Sequence, residues 1–168
     1  YCTALSKDSF SKKMMERFKI EKLNCDLIRT DGKNPPGLYS IEINEKGERS
    51  FSYWRDQSPS KNIFLGLKGK HLLDNISNSD IFYYSGISAG ILDENQKQKL
   101  IKVGATADVC AFDFNFRHQL HYDKNRSQSL FIEINNYVNI NFVSYDDVKN
   151  LFKIRKPNEI FNLLNNEK

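Results

Sequence analysis

Tyr53 and Arg55 alternate along one stretch of the chain and Tyr39 lies on the stretch before it. In extended backbone these three side chains share a face, which gathers two hydroxyls and a guanidinium at the open end of a ribbon. Such a group suits a small polyhydroxylated acid. The same pattern also serves as amphipathic cover for a core, and spacing alone weighs the two readings equally. A second set, Asp113, Asn115 and Arg117, occupies alternate positions at and just past the end of an apolar run. An arginine held over a strand end pairs with a carboxylate from the protein or from a ligand, and its fork suits bidentate binding. Asp113 has a competing role as cap of the following turn. Ser144, Asp146 and Asp147 follow a third apolar run, where a carboxylate could touch a metal's water shell and helix capping accounts for them nearly as well. His71, His118 and His121 have no ligand spacing with a second soft donor, so no metal site is assigned, and His118 and His121 read as local packing or solvent groups. There is no GxxxxGK[ST], no GxGxxG after a strand and no nucleophile elbow around Ser85, Ser88 or Ser144.

The elements that must position these residues follow from periodicity. Alternation over residues 37–55 predicts a hairpin with Glu45-Lys46-Gly47 as its loop, Gly47 taking the left-handed position. That register sets Asn44 opposite Glu48, Ile41 opposite Phe51 and Tyr39 opposite Tyr53. Trp54 falls on the other face as a packing anchor, against the domain or a partner chain. Before the hairpin, Phe10, Met14 and Phe18 mark a sheet-covering helix, and a short strand is expected near residues 25–29. Afterwards the order is a partly helical stretch over 63–73, then strand and helix three times. The strands are expected at 80–84, 107–113 and 140–143, all buried on both faces as in a parallel sheet. Small residues 85–90 allow close backbone approach at the first strand's carboxyl end, where ligands sit in open α/β sheets, Asp93 caps the next helix, and helices follow near 127–138, from Asp146, and from Pro157. The sum is a doubly wound α/β layer with an inserted β ribbon.

Bulk composition narrows the function classes. The 168 residues are 39% hydrophobic and 27% charged, enough for a core of ordinary domain size. A net charge of +4, from 25 basic and 21 acidic residues spread along the chain, gives no arm or stripe for nucleic acid. No apolar run reaches the roughly 20 residues of a membrane span. Three cysteines without CxxC spacing read as free buried thiols, favouring the cytoplasm.

TALSKDSF, PPGLYSIEINEKGERSFSYWR, YYSGISAGIL and FDFNFRHQL, in this order and spacing, together resemble the 2-dehydro-3-deoxygluconate kinases of the ribokinase-like (PfkB) carbohydrate kinase family. The resemblance covers most of the chain and weakens after about Tyr122. It implies a ribokinase-like αβα sandwich, here partial, with the hairpin as a lid: core over 1–36, lid over 37–56, continued core over 57–168. It implies ATP-dependent phosphorylation, with Mg²⁺, of a small-molecule sugar acid at its terminal hydroxyl. On that resemblance Tyr39 and Tyr53 contact sugar oxygens, Arg55 and Arg117 bind the anionic substrate, and Asn115 holds the loop or binds near the sugar. Ser144 and Asp147 align with an Asn-x-x-Glu motif near phosphate and metal but differ from it at both positions. The Gly-Ala-Gly-Asp motif with the family's general base does not occur in these residues. The expectation is therefore a fragment without catalytic residues of its own. Alternatives are a neutral-sugar kinase of fructokinase type, or a non-catalytic remnant that binds sugar or joins subunits through the lid.

Overall fold

The computed structural model describes residues 1–121 and 123–164. Tyr122 and residues 165–168 lie outside them. The described chain divides into two units, the first running from Tyr1 to Leu72 and the second starting at Leu73.

In the first unit β1 (Thr3–Ala4) pairs in parallel with β2 (Ile28–Arg29). The strand expected over 25–29 is shorter because the Ile28 amide bonds the Cys25 carbonyl in a turn. Between the strands α1 (Ser9–Ile20) begins where the Asp8 carboxylate accepts the Phe10 and Ser11 amides. Its inward residue is Ser11, whereas Phe10 faces solvent. The Ser6 amide donates to Ser11 Oγ, and both serine hydroxyls donate to Asp8. This polar knot turns the helix's small side inward.

β3 (Leu38–Ile43) and β4 (Arg49–Trp54) form the antiparallel ribbon in the expected register, Tyr39 facing Tyr53 and Ile41 facing Phe51. Gly47 has φ 77°, and its amide closes on the Asn44 carbonyl at 2.9 Å. A side chain there would meet the left-handed steric penalty. Asn44 adds a brace: its Oδ1 accepts the Lys46 and Glu48 amides, and its Nδ2 donates to the Glu48 carboxylate. A 3₁₀ turn (Pro59–Asn62) leads to α2 (Gly66–Ser77), within which the unit boundary falls.

The second unit is a parallel three-stranded sheet in the order β5 (Ile81–Ser85), β6 (Val109–Asp113), β7 (Ile140–Phe142). Its helices are α3 (Gly86–Ile91), α4 (Glu94–Gly104), α5 (Lys124–Asn135), α6 (Tyr145–Phe152) and α7 (Glu159–Leu164). Asp93 caps α4 as expected, its carboxylate accepting the Gln96 amide. The small residues past β5 form the short α3, because Ser85 at the strand end accepts the Ser88 amide and caps its first turn.

Only one sheet face is fully covered. Phe131 of α5 packs edge-on to Phe112, and Gly104 of α4 lies against Phe82 and Cys110. On the opposite face Ile81, Tyr83, Ile140 and Phe142 are exposed, so burial on both faces is not what β5 and β7 show. β6, the middle strand, carries the continuous buried run Cys110-Ala111-Phe112. Cys110 is buried, whereas Cys2 and Cys25 are free thiols of intermediate exposure.

Candidate functional site

Within the first unit the ribbon's register brings Tyr39, Tyr53 and Arg55 together. The two tyrosine rings stand 6.1 Å apart, and Phe51 stacks on Tyr53 at 6.1 Å with 13° between planes. The Arg55 guanidinium lies 4.2 Å from the Tyr53 ring centroid. Cation–π contact fixes the fork without using its in-plane donors. Arg55 Nη2 is buried and has no hydrogen-bond partner among the described residues. A buried unmet donor costs on the order of 1–3 kcal/mol, more when charged.

Within the second unit the other set meets past the carboxyl ends of β6 and β7. Phe114 and Phe116 are buried and alternate with Asn115 and Arg117, and the Phe114 amide donates to the Phe142 carbonyl at 3.0 Å. Asn115 has φ 34°, a left-handed backbone unusual for a side-chain-bearing residue. Arg117 Nη1 donates to the Phe116 carbonyl at 3.0 Å and lies 4.0 Å from Asp147 Oδ1. A half-exposed pair at that distance is weak, roughly 0–1 kcal/mol, and leaves the arginine recruitable.

Ser144 and Asp147 have structural work in this arrangement. Ser144 Oγ accepts the Asp147 amide at 3.1 Å as the N-cap of α6, and the Asp147 carboxylate faces Arg117. Among the described residues no group of three or more His, Cys, Asp or Glu side chains could hold a metal ion. Magnesium is commonly held by only one or two carboxylates together with water and phosphate oxygens, and here the Asp147 carboxylate is turned toward Arg117. Asp113 does not cap the next turn; it accepts the Tyr83 hydroxyl at 2.9 Å from the neighbouring strand. Partial desolvation of this mostly exposed residue, then that bond, raises the Tyr83 pKa and keeps its hydroxyl a donor. His71 and His118 are exposed, while His121 is buried. Sequence reading missed Tyr83, and its only signal was a shared strand face whose parallel register is set by tertiary packing.

The model of the family described as "pfkB family carbohydrate kinase" matches residues 1–168. The chain belongs to the pfkB carbohydrate kinase family. It is 30% identical over 157 residues to the 2-dehydro-3-deoxygluconokinase of Haemophilus influenzae, covering 91% of this chain and 50% of that protein. It is 32% identical over 151 residues to the enzyme of the same name from Escherichia coli K12, covering 88% and 49%. The chain thus spans about half the length of these relatives. Among solved structures, the PfkB protein of Polaromonas sp. JS666 matches with TM-score 0.82 at 13% identity, covering 97% of this chain and 55% of that one. The 2-dehydro-3-deoxygluconokinase of Thermotoga maritima matches with TM-score 0.75 at 18% identity, covering 98% and 54%. These likenesses give the ribokinase-like fold, an α/β sandwich.

Proposed function

We propose that this chain supplies the acid-recognising part of an ATP-dependent 2-dehydro-3-deoxygluconate kinase, and that the 168 residues bind the sugar acid without transferring phosphate on their own. The observation that carries the reading is Arg55: a guanidinium fixed over Tyr53 with a buried nitrogen lacking a partner among the described residues. A carboxylate satisfies that donor, whereas a neutral sugar offers only hydroxyl oxygens. Tyr39 and Tyr53 would contact sugar oxygens beside it. In the second unit Arg117 would be an anion-binding cation in its own right, with Asn115 shaping its loop, and the weak Asp147 contact makes its recruitment inexpensive. The names of the similar Haemophilus and Escherichia enzymes point to the same substrate. In this reading ATP and Mg²⁺ serve the phosphoryl transfer itself, for which these residues hold no general base in a Gly-Ala-Gly-Asp motif.

Calorimetric titration with 2-dehydro-3-deoxygluconate tests this, with fructose as the neutral comparison and R55A and R117A as variants. We expect binding by the native chain, a loss of tenfold or more in R55A, a smaller loss in R117A, and no heat with fructose. Equal binding of fructose would move the assignment to a neutral-sugar kinase. No heat with either sugar would sink the binding role, and sugar-acid-dependent ATP consumption by the purified chain would sink the non-catalytic part.

A second reading has its own observation. Ile41, Ile43 and Phe51 of the ribbon are exposed, which suits a surface that joins subunits.

A further inference from the structure

The loop carrying Asn115 and Arg117 is held at both ends by one residue. At its start, the Phe114 carbonyl packs so closely on Gly86 that a Cβ there would fall 2.2 Å from it. At its end, His121 Nε2 stands 3.2 Å from the Gly86 carbonyl oxygen, a contact that needs the proton on Nε2. His121 is 6% exposed, although His118 and Gln119 just before it face solvent. Its ring lies nearly flat on Phe116, at 5.4 Å and 22°, and edge-on to Phe131 of α5, at 5.2 Å and 75°. Phe116 is the residue between Asn115 and Arg117, so the imidazole supports the loop from beneath while its bond ties it to the first turn of α3.

Packing alone would be served by a phenyl ring. A buried imidazole is retained at the cost of desolvation, which pushes the His121 pKa below its ordinary value and favours the neutral form. The polar atom that justifies that cost is the donor to Gly86.

We infer that His121 is a positioning residue for the anion-binding loop: by stacking on Phe116 and bonding the Gly86 carbonyl it sets where Asn115 and Arg117 stand at the strand ends. Its effect on affinity rests on the sugar-acid reading above; its effect on loop geometry does not.

Two variants separate donor from ring. H121F keeps the aromatic contact and removes the donor, while H121Q removes the ring and keeps an amide N–H that can reach the same carbonyl. Amide hydrogen exchange at residues 115–120 is followed without ligand, and the dissociation constant for 2-dehydro-3-deoxygluconate is followed by calorimetry. H121F should speed exchange and weaken binding by roughly tenfold each, and H121Q should recover most of both. Unchanged exchange in H121F overturns the inference, as does H121Q behaving no better than H121F. If H121F does not fold, H121Q decides, since near-native exchange in it supports the donor role and tenfold faster exchange overturns it. Slower-loop protection lost in H121F while the native chain gives no heat with the sugar acid would uphold the positioning and sink the substrate assignment instead.

Discussion

Arg29 shows how much one side chain fixes in the first unit. Its Nε and Nη2 each donate to Asp31 at 3.1 Å, and its Nη1 donates to the carbonyls of Asn62, Ile63 and Leu65 at 3.1, 2.7 and 2.9 Å. That fork joins β2 to the chain entering α2, and a lysine ammonium cannot reproduce its geometry. R29K should lower unfolding free energy by about 2 kcal/mol, read from urea midpoints. Asp31 reports the same clamp through pH. Its pKa falls from 3.8 to about 2, chiefly through the Arg29 hydrogen bonds, with the Arg29 charge and a hydrogen bond from Lys68 adding to them. Because the folded state favours the ionised form, this stabilisation is present above pH 3.8 and is lost as pH falls toward about 2. Native protein should therefore lose stability over that window more steeply than D31N. Equal slopes would remove Asp31 from the clamp.

At the scale of elements, the ribbon was legible because turn chemistry and alternation constrain each other. Gly47 fixes the loop, the loop fixes the register, and the register alone puts Tyr39 opposite Tyr53. G47A should raise the local opening of the ribbon by roughly 1–2 kcal/mol, seen as faster amide exchange at Asn44 and Glu48, with exchange in β6 unchanged. The cap at Asp93 was legible for the same local reason. What was not legible depends on contacts between distant residues. The strand run at 80–84 reads as fully buried, yet its neighbours cover one face, because an apolar composition does not say which strand is in the middle. Likewise Ser144 and Asp147 carry two local readings, and only the placement of Arg117 beside α6 shows the cap and the ion pair together. S144A should cost about 1 kcal/mol in unfolding free energy as a lost N-cap. An additional loss of sugar-acid affinity would show that the cap also holds Asp147 toward Arg117.

For the whole molecule the decisive quantity is apolar surface left uncovered. Tyr39, Ile41, Ile43 and Phe51 are 62%, 47%, 66% and 45% exposed on one face of a ribbon that forms its own two-stranded sheet. An isolated two-stranded ribbon is marginally stable in water, and an apolar face on it favours association. A net charge of +4 spread along the chain is too small to oppose that contact strongly. The sole tryptophan, Trp54, is 63% exposed and lies on the other face of the ribbon, which makes it a reporter of which side is used. Sedimentation should show concentration-dependent self-association of the native chain, abolished by F51E on the Tyr39 face, with the Trp54 emission maximum unchanged by dilution. A blue-shifted emission that relaxes on dilution would place the contact on the Trp54 face instead. A monomer at all concentrations would remove the ribbon as a subunit contact and leave its apolar face to the proposed sugar-acid reading, which R55A tests.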